Sequence, residues 1–203
     1  MAAKYMRDLL GAPASTASTS DSALIIIDAQ NEYASGALTV TNAEASGKVI
    51  ADLLEKYRKA NGKVIHVLHK APEGAPIFTP GTELAEEFKA LKAKCFEMGC
   101  SNKFRMAKQR FGNNSPGSFH QTSLNETLQE WGIKKVVLVG YMAHVCVSTT
   151  AREASQSGYE VILVEDGIGD RDIPGVKGDE VTRVALAELA DAFGTVIKSS
   201  DIK

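Results

Sequence analysis

The chain has 203 residues, of which 44% are hydrophobic and 24% charged, and its formal net charge is −2. One domain with a substantial core is expected at this length. The near-neutral charge, the 6% of aromatic residues and the absence of a Lys/Arg block argue against nucleic-acid and membrane-surface partners. No apolar run reaches the ~20 residues that span a bilayer, and the charged N-terminus lacks a signal peptide's apolar core. We therefore predict a cytoplasmic protein, unless export uses another route.

Residues 1–22, which are small and polar from position 12 onward, are interpreted as a flexible lead-in, and residues 23–203 as one domain. From residue 23, short apolar runs alternate with segments of helical spacing. In chain order, the pattern predicts strand Ala23–Asp28, helix Ala43–Ala60, strand Lys63–His69, helix Leu84–Lys92 after an N-cap at Thr82, helix Gln121–Trp131, strand Lys135–Gly140, helix Val145–Ser157, strand Glu160–Glu165, helix Asp179–Phe193 and edge strand Thr195–Lys198.

This alternation indicates right-handed βαβ crossovers and a parallel sheet covered on both faces. Ligands of such α/β folds bind beyond the carboxyl ends of the strands, so the residues that end each strand are the candidates for chemistry. The first strand leads into DAQNEY instead of a glycine-rich turn, which excludes a dinucleotide fingerprint. No cofactor is predicted.

Asp28 ends the first predicted strand, directly after an apolar run. A carboxylate there is costly to desolvate unless its charge is used or neutralised. The functional interpretation is an acid/base group. The structural interpretation is a helix cap or a salt-bridge partner.

Cys146 follows the strand that ends at Gly140, after a short turn and close to the start of a helix. Backbone amides and the helix dipole at that position favour the thiolate and could stabilise an oxyanion. The alternative is an inert, buried cysteine that packs as a small hydrophobe. His144 lies two residues before Cys146, which suggests a Cys–His pair. Neighbours this close in a turn usually point apart, which argues against His144 as the direct base.

The other candidate groups give weaker signals. His66 and His69 are three apart on a strand and face opposite sides, and no acid–histidine cluster has the spacing of metal ligands, so no metal site is predicted. The segment 103–119 carries four basic residues and is interpreted either as a solvated loop or as the source of a lysine that reaches the cleft. Cys95 and Cys100 are interpreted as free thiols, although they could pair in an oxidising compartment.

Three stretches resemble the isochorismatase-like cysteine hydrolases, a superfamily that includes nicotinamidases, N-carbamoyl amidases and isochorismatases. They are LIIIDAQNEY at residues 24–33, the block from Gly117 to Ala154 that contains AHVC, and GYEVILVEDGIGDRD at residues 158–172. The stretch APEGAPIFTPGTELAEEF also resembles members that carry AHVC. Together the stretches cover nearly the whole chain after residue 22 and occur in the right order.

The resemblance implies a Rossmann-like three-layer sandwich with a six-stranded parallel sheet. It also implies an Asp–Lys–Cys triad, in which Asp28 accepts the thiol proton and Cys146 attacks the substrate. A cis peptide maps to Tyr141–Met142, and the amides of Met142 and Cys146 would form an oxyanion hole. Gln30, Tyr33 and Tyr141 are predicted to bind the substrate, a small molecule.

The lysine is where the sequence departs from the family pattern. Lys108 is the preferred third member of the triad, although it lies ten residues before Ser118. Lys103 and a triad without lysine remain open. The resemblance also implies a homo-oligomer, either a dimer or a tetramer.

Two contrasts within the family narrow the range of reactions that this chain is expected to catalyse. The metal-binding residues of nicotinamidases have no match here, and many dedicated isochorismatases lack the cysteine. Cys146 therefore favours cleavage of a C–N bond in a small amide or carbamoyl compound. The first alternative is hydrolysis of the vinyl ether of isochorismate to release pyruvate, with the carboxylates of the substrate met by Arg105, Lys108 and Arg110. The second is a non-catalytic member that binds a ligand or partner.

Overall fold

The computed structural model describes residues 3–92, 104–110, 117–120 and 122–203, with the backbone alone for residues 104–110. Six strands form one sheet in the order β3-β2-β1-β4-β5-β6, and every neighbouring pair is parallel. The strands are β1 Ala23–Ile27, β2 Lys63–Lys70, β3 Phe104–Arg110, β4 Lys135–Gly140, β5 Glu160–Ile168 and β6 Thr195–Ile197. The α/β class and the parallel sheet predicted from the sequence are confirmed.

Helices connect most of the consecutive strands along the chain, and α1 precedes β1. They are α1 Met6–Leu9, α2 Glu32–Ser35, α3 Ala43–Lys59, α4 Leu124–Glu130, α5 Ser148–Gln156 and α6 Gly178–Ala192. A π-helical turn, Ala143–Val147, leads directly into α5, and short 3-10 turns cover Glu83–Ala85 and Ser199–Asp201. No helix of the described residues is both long and apolar enough to cross a membrane.

The sheet has a separate apolar core on each face, as a three-layer sandwich requires. Alternate residues of β1 show this division, because Ile25 and Ile27 pack on one side and Leu24 and Ile26 on the other. The first side is covered by α4, α5, α6 and the π-helical turn. The second side is covered by α3, whose Ile50 and Leu54 are fully buried. Burial on both faces explains why the strands are continuous apolar runs.

The helix predicted over Leu84–Lys92 is wrong. The chain forms only the 3-10 turn Glu83–Ala85 there, and Thr82 makes no side-chain cap. The backbone instead bonds to the segment after β1: Phe88 N–H donates to Ala29 O at 2.9 Å, and Asn31 N–H donates to Glu86 O at 2.8 Å. These bonds use backbone groups that a helix would have paired internally, so no α-helix forms there.

The strand order reverses between β1 and β4, and the site lies at their carboxyl ends. Gly140, the last residue of β4, has a φ of 117°, and a Cβ there would meet Ile27 O at 2.0 Å. Only glycine permits this close approach. Crevices at such switch points are the usual ligand sites of open α/β sheets.

The residues before β1 are attached to the domain at several points. Met6 N–H donates to Asp191 Oδ1 at 2.7 Å, and Thr19 N–H donates to the backbone oxygen of Lys203 at 2.9 Å. Ala17 is buried. The division into a flexible lead-in and a domain that begins at residue 23 stays a prediction.

Candidate active site

Asp28 lies directly after β1 and has a left-handed backbone, with a φ of 49°. Its side chain is fully buried, and neither carboxylate oxygen has a hydrogen-bond partner of standard geometry among the described residues. A positive φ outside glycine is uncommon and occurs often at functional sites. The structure therefore presents an acid that is buried without the partners that a structural carboxylate has.

Cys146 lies in the π-helical turn after β4, with its thiol next to the carboxylate of Asp28. The residue is 3% exposed. The backbone N–H of Met142 is directed at the sulfur. The peptide bond between Tyr141 and Met142 is cis, as the resemblance implies. π-helical turns are rare and concentrate at functional sites.

Burial controls the protonation of both groups. It raises the pKa of Asp28 to about 7, against smaller opposing effects of the Cys146 thiol and the His69 backbone N–H. Burial, followed by the charge of Asp28, raises the pKa of Cys146 well above its ordinary value. The Met142 amide opposes this increase but does not outweigh it. The expectation that the helix start favours a thiolate is therefore wrong for the described groups, which favour the thiol.

Tyr33 faces both members of this pair. The residue is 2% exposed. Burial is the main cause that raises its pKa, and the nearby charges of Cys146 and Asp28 add to it. Its ring lies 5.3 Å from that of Phe78 and 5.6 Å from that of Tyr141. Tyr33 thus combines an aromatic wall with a hydroxyl at the site, and its role in substrate binding stays a prediction.

The side chains of Gln30 and Tyr141 are committed to other parts of the protein. The amide nitrogen of Gln30 donates to His69 O at 3.0 Å and to Ala85 O at 2.7 Å, and its oxygen accepts from His69 N–H at 2.8 Å. The hydroxyls of Tyr141 and Ser46 are 2.7 Å apart. Gln30 therefore holds the ends of β1 and β2 and the 3-10 turn together. The predicted substrate contacts of both residues stay predictions.

Lys108 lies on β3, where it pairs with Leu68 of β2. The preceding pair, Val67 and Ala107, is in register with Ile27 of β1. Lys108 therefore occupies the same row across the sheet as Asp28, about two strand spacings of ~4.8 Å away. The position of its side chain lies outside the described part of the structure, as do Lys103, Cys95 and Cys100. The third member of the triad stays a prediction.

Asp170, after β5, is a site residue that the sequence analysis did not single out. It is fully buried, and its Oδ2 accepts from the backbone N–H of His144 at 3.0 Å and from His144 Nδ1 at 2.6 Å. Its charge also acts on Cys146 and Tyr33. The rule that strand ends carry chemistry applies to β5 as well, but two acids, Asp170 and Asp172, closely follow that strand and the pattern does not distinguish them.

The histidines of β2 do not form a metal site. His66 Nδ1 lies 2.5 Å from Glu87 Oε1, away from Cys146. His69 packs on Phe78 with ring centroids 4.5 Å apart, and burial lowers its pKa to about 4, so its ring is neutral near pH 7. Within the described ranges, no group of three or more His, Cys, Asp or Glu residues could hold a metal ion.

The chain thus combines a parallel α/β sheet with a buried acid–thiol pair at the carboxyl ends of β1 and β4. The family model described as the isochorismatase domain matches residues 22–201. A secreted isochorismatase effector, Isc1, of Verticillium dahliae is 55% identical over 196 residues, which make up 97% of each chain. The chain therefore belongs to the isochorismatase family of hydrolases, as the resemblance predicted.

Two further similarities extend along the whole chain. The isochorismatase-like protein asqB of Emericella nidulans is 34% identical over 203 residues, which cover all of this chain and 88% of that protein. The crystal structure of an isochorismatase from Pseudomonas putida KT2440 superposes with a TM-score of 0.89 at 31% identity and covers both chains completely.

Proposed function

We propose that this protein is an isochorismatase that hydrolyses the vinyl ether of isochorismate, with Asp28 as the acid. The observation that carries the proposal is the buried carboxyl of Asp28, whose pKa burial raises to about 7. Such a group holds a proton near neutral pH and can give it to a substrate. The name of the Verticillium dahliae relative supports this substrate.

The proposed reaction needs one proton and one water. Asp28 transfers its proton to the methylene carbon of the vinyl ether, which leaves a positively charged oxocarbenium centre. Water adds to that centre, and the resulting hemiketal breaks its C–O bond to release pyruvate and the ring alcohol. The Asp28 carboxylate stabilises the cation while it exists and recovers a proton from the water. Cys146 is then a neutral neighbour of the reacting atoms.

A second candidate is thiol-dependent cleavage of a C–N bond in a small amide or carbamoyl compound, which the sequence favours. The contact between Cys146 and Asp28 supports it. Asp28 would take the thiol proton, and the sulfur would attack the carbonyl carbon while the Met142 N–H faces the new oxyanion. The C–N bond would break as Asp28 returns the proton to nitrogen, and water would then hydrolyse the thioester. A Streptomyces noursei relative, 28% identical, is named streptothricin hydrolase.

The two candidates are separated by assaying wild type, Cys146→Ala and Asp28→Asn against isochorismate and a panel of small amides, with pyruvate and ammonia as the products measured. Asp52→Asn, an exposed carboxylate of α3, is the control. Pyruvate release that survives Cys146→Ala but not Asp28→Asn is the expected result. Ammonia release that both site variants abolish would establish the thiol hydrolase instead. Turnover of neither substrate would refute both candidates and favour a binding function.

The location and assembly of the protein also stay predictions. The sequence predicts a cytoplasmic protein, whereas the 55% identical relative is named as secreted. Fractionation of the source organism's culture into cells and medium decides between these locations. The homo-oligomer implied by the family is tested by light scattering on the purified chain.

A further inference from the structure

Asp170 connects three parts of the molecule around the turn that carries Cys146. Its Oδ2 accepts two hydrogen bonds from His144, and its Oδ1 accepts from the backbone N–H of Arg171 at 2.8 Å. Its backbone oxygen accepts from Thr41 N–H at 2.9 Å, just before α3. The preceding residue, Gly169, accepts from Ala143 N–H at 3.0 Å. The end of β5 therefore holds the first two residues of the π-helical turn.

The hydrogen bond between Asp170 and the His144 ring joins a buried side chain to a partly exposed one. The side chain of Asp170 is fully buried, whereas that of His144 is 34% exposed. A carboxylate only accepts hydrogen bonds, so Nδ1 of His144 carries the hydrogen. The imidazole consequently covers Asp170 from solvent while its other edge faces outward. Because His144 is two residues before Cys146, fixing its backbone and its ring also fixes the direction in which the turn continues.

We propose that Asp170 is a positioning residue for the reaction: by binding both N–H groups of His144 with one oxygen, it aligns the Met142 N–H and the Cys146 side chain with Asp28. This inference rests on the second candidate above, thiol-dependent cleavage, because that reaction uses the Cys146 sulfur and the Met142 N–H. Asp170 acts through the turn and is not required to touch the substrate. His144 has a supporting role, because it supplies the two donors.

An electrostatic effect accompanies the positioning. Burial and Asp28 are the main causes that raise the pKa of Cys146, and the charge of Asp170 adds to them. The ionisable groups around this thiol include Asp28, Asp170 and Tyr33, and His144 is bonded to Asp170. Neutralising Asp170 should therefore lower the pKa of the thiol, and it should also misalign the turn. A neutral residue that only packs against the turn would not shift the pKa of the thiol in this way.

The test compares Asp170→Asn and His144→Ala with the wild type. Asparagine keeps the volume of aspartate, but an NH2 group replaces one of the two carboxylate oxygens. That group cannot accept hydrogen bonds, so the bonds that His144 or Arg171 donates to that oxygen are lost. We expect Asp170→Asn to lower kcat for the thiol-dependent cleavage of an amide about 10- to 100-fold with KM changed less than about threefold, as for a lost interaction that matters in the transition state. His144→Ala keeps the backbone bond and should lose about three- to tenfold.

The second readout is the rate at which iodoacetamide alkylates Cys146 as a function of pH, followed by peptide mass spectrometry. The midpoint of this profile should move to lower pH in Asp170→Asn. The control is Asp166→Asn, which removes another β5 carboxylate that accepts from the N–H and hydroxyl of Ser199, and should change neither kcat nor the midpoint.

Loss of thermal stability in Asp170→Asn without a shift of the alkylation midpoint would overturn the inference, as would an unchanged kcat. If Asp170→Asn does not fold, His144→Ala decides through kcat: wild-type turnover would refute the inference, and the expected loss would support it. If wild type cleaves no amide, the second candidate fails, and the alkylation profile alone decides whether Asp170 controls the thiol.

Discussion

Asp28 and Asp170 follow two parallel strands at the same edge of the sheet, and both side chains are fully buried. Their surroundings differ. Asp170 accepts three hydrogen bonds from nearby N–H groups. The carboxylate of Asp28 has no hydrogen-bond partner of standard geometry among the described residues and faces a thiol. Burying a carboxylate costs free energy unless donors compensate it. Hydrogen-bond donors therefore compensate the cost of burying Asp170, whereas the cost of burying Asp28 is left largely uncompensated.

The largest effect should come from removing the acid. Asp28→Asn keeps the shape of the side chain but cannot carry the proton, so we expect kcat/KM to fall about 100- to 10,000-fold, the usual contribution of a general acid. Pyruvate release from isochorismate measures it, with Asp52→Asn as the control. Activity within a few-fold of wild type would mean that Asp28 is not the acid of the reaction, and the distinction between a reactive Asp28 and a positioning Asp170 would be wrong.

The stability of the protein should depend on the pH through Asp28. Its pKa is about 7 in the fold and near the ordinary value of 3.8 when unfolded, so the folded state binds more protons between these values. The contribution is fully present below pH 4 and is lost as the pH rises through 7. Relative to Asp28→Asn, wild type should lose on the order of 2–3 kcal/mol of unfolding free energy between pH 5 and pH 8. Urea unfolding at both pH values measures the difference; a constant difference would contradict a raised pKa.

Asp170→Ala should destabilise the fold, whereas Asp28→Asn should not. The alanine leaves three N–H donors without their acceptor, and we expect a loss of about 2–4 kcal/mol. Asp52→Ala, at an exposed position, serves as the reference. The measurement is urea unfolding at pH 7. An Asp170→Ala variant as stable as the reference would show that these hydrogen bonds do not hold the turn.

The smallest effect concerns the hydroxyl of Tyr33, whose pKa is raised by burial and then by the charges of Cys146 and Asp28. Removing it in Tyr33→Phe should change kcat/KM about three- to tenfold, the equivalent of one ordinary hydrogen bond. Tyr57→Phe is a matched control, because its buried hydroxyl lies 2.7 Å from Ser22 Oγ, at the opposite end of β1. Equal effects of the two substitutions would assign Tyr33 to packing alone.

The sequence predicts the sheet better than the details of the site. Runs such as Ala23–Ile27 are buried on both faces and therefore appear as unbroken apolar segments. The error over Leu84–Lys92 has a physical cause: its apolar residues have helical spacing, but its backbone bonds to residues 29–31 over a distance in sequence that periodicity cannot detect. Of the site, Asp28 and Cys146 follow from their positions after strands.

Other features of the site depend on tertiary contacts. The sequence places Cys146 near a helix start, which favours a thiolate, yet burial and the adjacent Asp28 dominate in the folded protein. Asp170 is one of four acids in VEDGIGDRD, and only the fold shows which one meets His144. Burial and partners, not residue type, separate these acids from one another.

The most direct test of the account is the pKa of the Asp28 carboxyl, measured by NMR on protein with 13C-labelled aspartate. The signal is assigned by its loss in Asp28→Asn and followed from pH 3 to pH 9. We expect a midpoint near 7, because burial disfavours the charged carboxylate more than the Cys146 thiol and the His69 N–H favour it. A midpoint at or below 4 would mean that Asp28 is a permanently charged group at neutral pH, and it would contradict its assignment as the acid of the reaction.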